Sequence, residues 1–347
     1  MKNNKKRKKS WSQFKFVLLC LVLSSPAWSH ESYTLYKDVV WAKPKGFALT
    51  ADIRVPETGP AKKPVLIIFH GGGWLLNTKS ITDDLADSVS SHSNYITVNT
   101  NYRLLADLEN STTVNEIVED AFGAVLWVQS NIHRYNGDAS KVVVTGDSAG
   151  GHLASMVAVA GNQLKEAGFT GREPGFKPSY MPEGSSVEKL RQEGGIKVHA
   201  AILSYAGFDL YATAQNGYET SSNPFWAWAG AEPRGMFGKG ISTESHPEYY
   251  KKVSPVYYLN EKTSKDVLPR QLVLVGELDR MTTPKLAREY VEKFENLEQR
   301  VEFKVYDGKG HGFLDAGCND YNNGCFDELS RPAVQDMLVF LQSVEKE

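Results

Sequence analysis

Short apolar runs of strand length recur along the chain and are separated by longer segments with helical spacing. Pro64–Phe69 and the valine run in Lys141–Thr145 are typical of strands that are buried on both faces of a parallel sheet. Alternating or β-branched residues between turn residues predict further strands. These lie at Tyr33–Ala42, Phe47–Val55, Tyr95–Asn99, Val198–Ser204, Gln271–Val275 and Val301–Tyr306.

Between the strands, apolar residues recur every three or four positions, which is the spacing of an amphipathic helix. Helices are predicted at Thr82–Ser91, Val114–Ile132, Gly151–Ala160, Pro284–Asn296 and Leu329–Val344. Because strands and helices alternate, we expect an α/β protein with a mostly parallel sheet and helices on both faces.

Two long segments interrupt this alternation within the expected catalytic domain, residues 30–347. Residues 162–197 are polar and rich in glycine, and residues 205–262 are rich in aromatic residues and proline. Segments of this length without a clear element are usually lids or binding elements. We therefore expect both insertions to form a cap over the functional site.

The first residues of the chain have the three-part pattern of a secretory signal peptide. Met1–Lys15 carries seven basic residues and no acid, Phe16–Leu23 is apolar, and small residues stand at Ala27 and Ser29. A basic arm for nucleic acid would not need the apolar run, and this run is too short for a membrane anchor, which needs about 20 residues. Residues 1–29 are thus predicted to be cleaved, which gives a secreted or periplasmic protein.

Removal of this leader changes the charge of the protein. The full chain has 39 basic and 41 acidic residues, and the leader holds seven of the basic ones, so the mature net charge is about −9. An acidic surface disfavours nucleic acid and anionic lipid as partners. We expect neither a nucleic acid partner nor a stable membrane anchor.

Cysteine usage is consistent with export. Cys20 lies in the leader, and only Cys318 and Cys325 remain, in a loop rich in Gly, Asn and Asp. In an oxidising compartment this pair would form a disulfide, whereas in a reducing one the two thiols would stay free. A zinc site would need further ligands at suitable spacing.

The strongest chemical signal is Gly146-Asp147-Ser148-Ala149-Gly150, which lies between a predicted strand and a predicted helix. G-x-S-x-G in this setting is typical of a nucleophile elbow. The turn is so tight that only very small residues can flank the serine, and the helix N-terminus favours developing negative charge. Ser148 is therefore the predicted nucleophile, while the side chain of Asp147 points away from it.

A glycine run, His70-Gly71-Gly72-Gly73-Trp74, follows another predicted strand. Acyl transfer produces an oxyanion that preorganised N–H groups must stabilise, and glycines let the backbone approach the substrate closely. We predict that Gly71, Gly72 and Ala149 donate to the oxyanion. Alone, the run could equally be a turn that links a strand to a helix.

The serine needs a base, and the base needs an orienting carboxylate. His311 lies in a glycine-rich loop, Gly308–Phe313, after the last strand, and Asp279 follows the strand before it. Asp209 is the competing acid, because this kind of sheet can place its acid one strand earlier. Glu277 is expected to be a hydrogen-bonded turn residue.

These motifs together resemble the hormone-sensitive-lipase-like branch of the α/β-hydrolases. Four segments match in order: His70–Trp74, Asn101–Leu104, Gly146–Gly151 and Gly310–Phe313. The resemblance implies the α/β-hydrolase fold, a triad of Ser148, Asp279 and His311, and an oxyanion hole of Gly71, Gly72 and Ala149. It also implies a structural role for Tyr102 and Arg103, and no metal or organic cofactor.

Two departures leave the substrate open. The branch usually has Asp-Pro-Leu-x-Asp at its acid, where this chain has Gly276–Asp279. Gly150–Ala154 also resembles carbohydrate esterases and kynurenine formamidases. Trp74, Phe225 and Trp226 could line an acyl pocket or stack on a sugar ring, together with Trp228, but they could equally be the core of the cap.

The sequence thus predicts a serine carboxylesterase that hydrolyses short- to medium-chain acyl esters of small molecules through an acyl-enzyme. Alternatives on the same fold are a deacetylase of acylated carbohydrate, an amidase, a formamidase or a peptidase. A non-enzymatic alternative is a binding protein that has lost its activity, although such proteins usually lack the serine or the histidine.

Overall fold

An eight-stranded sheet runs through the centre of the computed structural model, which describes residues 32–171, 173–319 and 321–347. The predicted leader and its cleavage site lie outside these residues. The strands are β1 Tyr33–Ala42, β2 Leu49–Pro56, β3 Lys63–Phe69, β4 Ile96–Thr100, β5 Gly137–Asp147, β6 Ala200–Ser204, β7 Arg270–Gly276 and β8 Val301–Tyr306.

The strand order is β1-β2-β4-β3-β5-β6-β7-β8. The parallel part of the sheet consists of β4, β3, β5, β6, β7 and β8. At one edge, β1 pairs with β2 and β2 pairs with β4, both in antiparallel fashion. Every residue of β3, β4 and β6 is buried, so both faces of the sheet must be covered. The predicted mostly parallel α/β sheet is confirmed.

Helices cover the sheet in two layers: α1 contacts α12 on one side, while α3, α4, α9 and α10 form a continuous set of contacts on the other. The helices are α1 Asp83–His92, α2 Asp107–Asn110, α3 Val114–Asn131, α4 Ala149–Ala160, α5 Val187–Gln192, α6 Leu210–Thr213, α7 Pro224–Trp228, α8 Pro247–Lys252, α9 Pro255–Glu261, α10 Pro284–Asn296, α11 Phe326–Leu329 and α12 Arg331–Glu345.

The two predicted insertions contain only short helices, and single polar residues fasten them to the body of the protein. Glu119 on α3 accepts a hydrogen bond from the backbone N–H of Lys177 at 3.1 Å. In the second insertion, the Arg234 guanidinium donates to the carbonyl oxygens of Leu105, Asn110 and Thr112. A planar guanidinium with five N–H donors is suited to bind several carbonyl groups at once.

A small hairpin follows β8 and precedes α11. It consists of β9 Cys318–Asn319 and β10 Gly324–Cys325, and a disulfide joins Cys318 to Cys325 across it. Within the described part of the chain, no helix is long and apolar enough to cross a membrane.

Parallel strands place their carboxyl ends at one edge of a sheet, and ligands of open α/β sheets bind at that edge. Here the loops that follow β3, β5, β7 and β8 all begin there. These loops carry the glycine run, the nucleophile elbow, Asp279 and His311, so the strand order brings together four segments that are distant in sequence.

Candidate active site

Ser148 occupies a sharp turn between β5 and α4. Its backbone has φ 52° and ψ −115°, a conformation that non-glycine residues rarely adopt. A Cβ on Gly146 would overlap the backbone of Gly150, and a Cβ on Gly150 would overlap the carbonyl oxygen of Phe69. Both flanking glycines are therefore required for the elbow, as its sequence motif predicts.

Ser148, His311 and Asp279 lie within hydrogen-bonding distance of one another. His311 Nε2 is 2.8 Å from Ser148 Oγ, and His311 Nδ1 is 2.8 Å from Asp279 Oδ2. The carboxylate also accepts from the backbone N–H groups of Met281 and Thr282, at 2.8 and 2.9 Å. Burial raises the pKa of Asp279, but these hydrogen bonds and the imidazole outweigh it and hold the pKa below its usual value.

The other two acids considered for this site have structural positions. Asp209 caps the N-terminus of α6, where its Oδ1 accepts from the N–H of Ala212 at 3.0 Å. Glu277 accepts from the N–H of Gly308 at 2.9 Å, which is the turn role that the sequence predicts.

In the glycine run, His70–Trp74, the structure differs from the prediction at Gly71. Its N–H donates to Asp147 Oδ1 at 2.9 Å and is therefore not available to an oxyanion. Among the described residues, no group accepts from the N–H groups of Gly72 and Gly73. Gly73 thus replaces Gly71 in the predicted donor set. The sequence could not show this, because Asp147 reaches Gly71 only when β3 and β5 are neighbours.

Ala149 supplies the third predicted donor. It is the first residue of α4, and the hydrogen bond from the N–H of His152 to the carbonyl of Ser148 is the first of the helix. The N–H of Ala149 therefore precedes the helical hydrogen bonds and belongs to the positive end of the helix dipole.

Contacts between His70 and Tyr102 stabilise the start of the glycine run. Tyr102 donates its hydroxyl hydrogen to the carbonyl of His70 at 2.6 Å, and the two rings stack 4.3 Å apart. Burial lowers the pKa of His70 to about 4, so its imidazole stays neutral at ordinary pH. The adjacent Arg103 pairs with the buried Asp120 at 2.7 Å, which agrees with the structural role that the resemblance implies.

Two of the three predicted pocket residues lie in the core. Trp226 is fully buried and donates its indole N–H to the carbonyl of Tyr218 at 2.8 Å. Trp74 is 5% exposed and donates to His152 Nδ1 at 3.1 Å. For these two residues the core alternative holds, since each indole packs inward, where its N–H finds an acceptor.

Phe225 is the predicted pocket residue that does lie beside the site. A Cβ on Gly73 would stand 3.3 Å from its ring, and its centroid is 5.3 Å from that of Trp228. Trp228 is 66% exposed. Phe225 thus links the glycine run to an exposed aromatic residue of the short helix α7.

A cleft of about 600 Å³, lined by apolar as well as polar residues, begins next to the triad. At its inner end, the N–H of Gly207 faces the carbonyl of Ser148 at 3.4 Å, and the hydroxyl of Thr282 donates to Asp279 at 2.9 Å. The other polar residues that line it are Asp209, Thr213, Asn216, Ser222, Asn223, Tyr257, Asn260, Glu289 and Lys293. No motif in the sequence indicated this cleft, because its walls come from three separate segments, residues 206–223, 256–260 and 281–293.

A second cleft, of about 770 Å³, lies between the two insertions and shares Tyr257 and Asn260 with the first. Its walls carry residues of both signs, among them Lys165, Glu173 and Lys251. The two clefts are therefore neighbours, with the shared residues at their boundary. Within the described part of the chain, no group of three or more His, Cys, Asp or Glu residues is arranged to hold a metal ion.

The chain is similar to known esterases. A family model described as BD-FAE matches residues 51–294, well over half of the chain. Esterase LipC of Mycobacterium tuberculosis is 25% identical over 258 residues, and the probable isoprenylcysteine alpha-carbonyl methylesterase ICMEL2 of Arabidopsis thaliana is 23% identical over 282. These matches cover 74% and 80% of this chain, but the chain spans only about half the length of these curated relatives, 54% and 57%.

Solved structures share the fold. Esterase 2 of Thermogutta terrifontis, in its apo form, superimposes with a TM-score of 0.63 at 19% identity, covering 92% of this chain and 96% of its own. A truncated carbohydrate esterase from gut microbiota gives a TM-score of 0.63 at 20% identity, covering 93% and 99%.

Proposed function

Because the chain belongs to the BD-FAE family and has the α/β-hydrolase fold, we propose that it is a serine carboxylic ester hydrolase. One observation carries the proposal: the imidazole of His311 lies 2.8 Å from both Ser148 Oγ and Asp279 Oδ2. This arrangement faces the glycine loop that can bind an oxyanion. The names of the similar esterases support the same activity.

In the proposed reaction, Ser148 Oγ attacks the ester carbonyl while His311 Nε2 accepts its proton. Asp279 keeps Nδ1 protonated and stabilises the imidazolium that forms. The carbonyl oxygen becomes negative and accepts hydrogen bonds from the N–H groups of Gly72, Gly73 and Ala149. His311 then protonates the departing alcohol, and water releases the acyl group by the same steps in reverse.

Hydrolysis of p-nitrophenyl acetate, butyrate and octanoate, with Ser148→Ala in parallel, tests this proposal. We expect turnover of the shorter esters and a loss of about 10⁴-fold or more in the variant, because no other hydroxyl lies at the elbow. Equal rates for the two proteins would overturn the assignment of Ser148. Turnover of p-nitroanilides at a similar rate would indicate an amidase or peptidase instead.

A second candidate is the removal of acyl groups from carbohydrate. The polar side chains along part of the cleft beside the triad favour it, because sugar hydroxyls need several hydrogen-bonding partners and a simple alkyl alcohol needs none. The match to a carbohydrate esterase is consistent with it. A kcat/KM for an acetylated oligosaccharide well above that for p-nitrophenyl acetate would favour this candidate, and the reverse would count against it.

We further propose that the protein acts outside the cytoplasm after removal of residues 1–29. The charged, apolar and small-residue segments of the leader support this, as does a cysteine pair that would be bonded in an oxidising compartment. N-terminal sequencing of the exported protein should begin at His30. An intact leader on protein in the cytoplasm would contradict export.

A further inference from the structure

The disulfide hairpin is in direct contact with the loop that carries His311. Asn322 lies between the two cysteines, and its Nδ2 donates to the backbone carbonyl of His311 at 2.7 Å. Among the described residues, this is the only hydrogen bond that the backbone of His311 makes. The histidine therefore depends on a residue 11 positions later in the chain for this support.

The carboxamide of Asn322 fits closely against the two glycines that flank His311. A Cβ on Gly310 would stand 3.1 Å from its Oδ1, and one on Gly312 would stand 3.4 Å from its Nδ2. Glycine on both sides of a residue leaves the loop with many accessible conformations. An external hydrogen bond is thus needed to select the one in which the imidazole meets Ser148.

The hairpin itself is anchored to the body of the protein. Just before it, the N–H of Ala316 donates to the carbonyl of Ile81 at 2.8 Å, and the N–H of Gly317 donates to Asp84 at 2.7 Å. Inside it, the N–H of Asn322 donates to Asn319 at 2.8 Å. With strands of two residues each, a hairpin of this size is not stable alone, so the disulfide holds Asn322 in place.

We propose that Asn322 is a positioning residue for His311 and that the Cys318–Cys325 disulfide makes the proposed hydrolase sensitive to reducing thiols. The proposal rests on the proposed function of His311 as general base. With dithiothreitol, a thiolate attacks one cysteine sulfur and the other sulfur leaves as a thiolate. The second thiol of the reductant then closes a cyclic disulfide, so two cysteine thiols and one oxidised reductant result.

The test compares Asn322→Ala and Asn322→Asp with the wild type and with Tyr321→Ala, a matched control on the same hairpin whose side chain is 72% exposed. Aspartate keeps the shape of asparagine but has no N–H to donate at neutral pH. We expect both Asn322 variants to lose about tenfold in kcat with little change in KM, because a small misplacement of the base slows only the chemical step. Tyr321→Ala should keep the wild-type kcat.

The reduction arm uses the mature protein with and without dithiothreitol, and a Cys318→Ser/Cys325→Ser double variant. We expect reduction to lower the wild-type kcat by a factor similar to that of Asn322→Ala and to have no further effect on Asn322→Ala itself. An Asn322→Ala variant with the wild-type kcat would overturn the proposal. A loss of kcat on reduction that is as large in Asn322→Ala as in the wild type would also overturn it. The disulfide would then affect kcat without acting through Asn322.

A readout that needs no substrate separates this proposal from the proposed function. The His311 Nδ1 proton that is shared with Asp279 should give a downfield ¹H NMR signal, which disappears in His311→Ala. We expect this signal to weaken or shift in Asn322→Ala and in the reduced protein, whether or not any tested ester is hydrolysed. An unchanged signal in both would contradict the positioning role even if the wild type is an active esterase.

Discussion

At the scale of single residues, Asp147 shows how a side chain next to the nucleophile can act without taking part in the chemistry. Its carboxyl lies beneath the glycine run and accepts from Gly71 at 2.9 Å. Burial, and then the nearby Asp315 carboxyl, raise the pKa of Asp147 well above its usual value. Asp147 therefore holds the glycine run in place as a buried hydrogen-bond acceptor.

This position predicts different effects for two substitutions of Asp147. Asn keeps the oxygen acceptor for the N–H of Gly71, so Asp147→Asn should retain most of the stability and kcat. Ala leaves the Gly71 N–H buried without a partner, which costs about 1–3 kcal/mol of unfolding free energy. Urea denaturation and kcat measurements check both, and equal losses in the two variants would show that a negative charge is needed at Asp147.

At the scale of elements, Glu119 on α3 provides two hydrogen-bond acceptors for the first insertion. Glu119 Oε1 accepts from the N–H of Lys177, and the backbone carbonyl of Glu119 accepts from the N–H of Ser179 at 3.1 Å. Burial raises the pKa of Glu119 to about 8, and the neighbouring charges of Asp120 and Glu116 add to this effect. The insertion is thus fastened by a group that is protonated in the folded protein at neutral pH.

The raised pKa of Glu119 predicts a pH-dependent stability. The folded protein holds the proton up to about pH 8, whereas the unfolded chain releases it near its ordinary value of 4.5. The contribution of this proton to the free energy of unfolding is therefore complete below pH 4.5 and is lost as the pH rises to 8. Glu119→Gln keeps an acceptor but cannot ionise, so its unfolding free energy should exceed that of the wild type increasingly from pH 5 to 8. Urea denaturation at each pH gives the unfolding free energy of both proteins. A difference between them that does not change with pH would contradict the prediction.

At the scale of the whole molecule, the two clefts lie side by side along the insertions. They meet at Tyr257 and Asn260, and Lys293 donates to Asn260 Oδ1 at 2.7 Å. The inner cleft alone, about 600 Å³, is large enough for a substrate of modest size. We expect a long alcohol portion to extend past the shared residues into the second cleft.

A bulky residue at this junction should therefore change selectivity. We expect Asn260→Trp to lower the ratio of kcat/KM for an oligosaccharide acetate to kcat/KM for ethyl acetate by about tenfold, a typical effect of steric exclusion from a pocket. Asn260→Ala serves as the control for loss of the amide alone. A ratio that stays constant in Asn260→Trp would show that the substrate leaves the site by another path.

The sequence by itself determined the α/β architecture and selected Ser148, Asp279 and His311. Strands and helices leave periodic patterns that are local in the chain. Each triad residue likewise lies in a short motif, and parallel strands necessarily bring the following loops to one edge. These features could be predicted because each depends on neighbours in sequence and on a general rule of sheet geometry.

Only the tertiary structure decided which glycine N–H groups are free, which indoles are buried and what holds the histidine. The exclusion of Gly71 depends on a side chain from the neighbouring strand, and the burial of Trp74 and Trp226 depends on acceptors at His152 and Tyr218. The clefts likewise have walls from distant segments. Such contacts leave no pattern in sequence, because hydrogen-bond partners are fixed by packing in three dimensions and not by spacing along the chain.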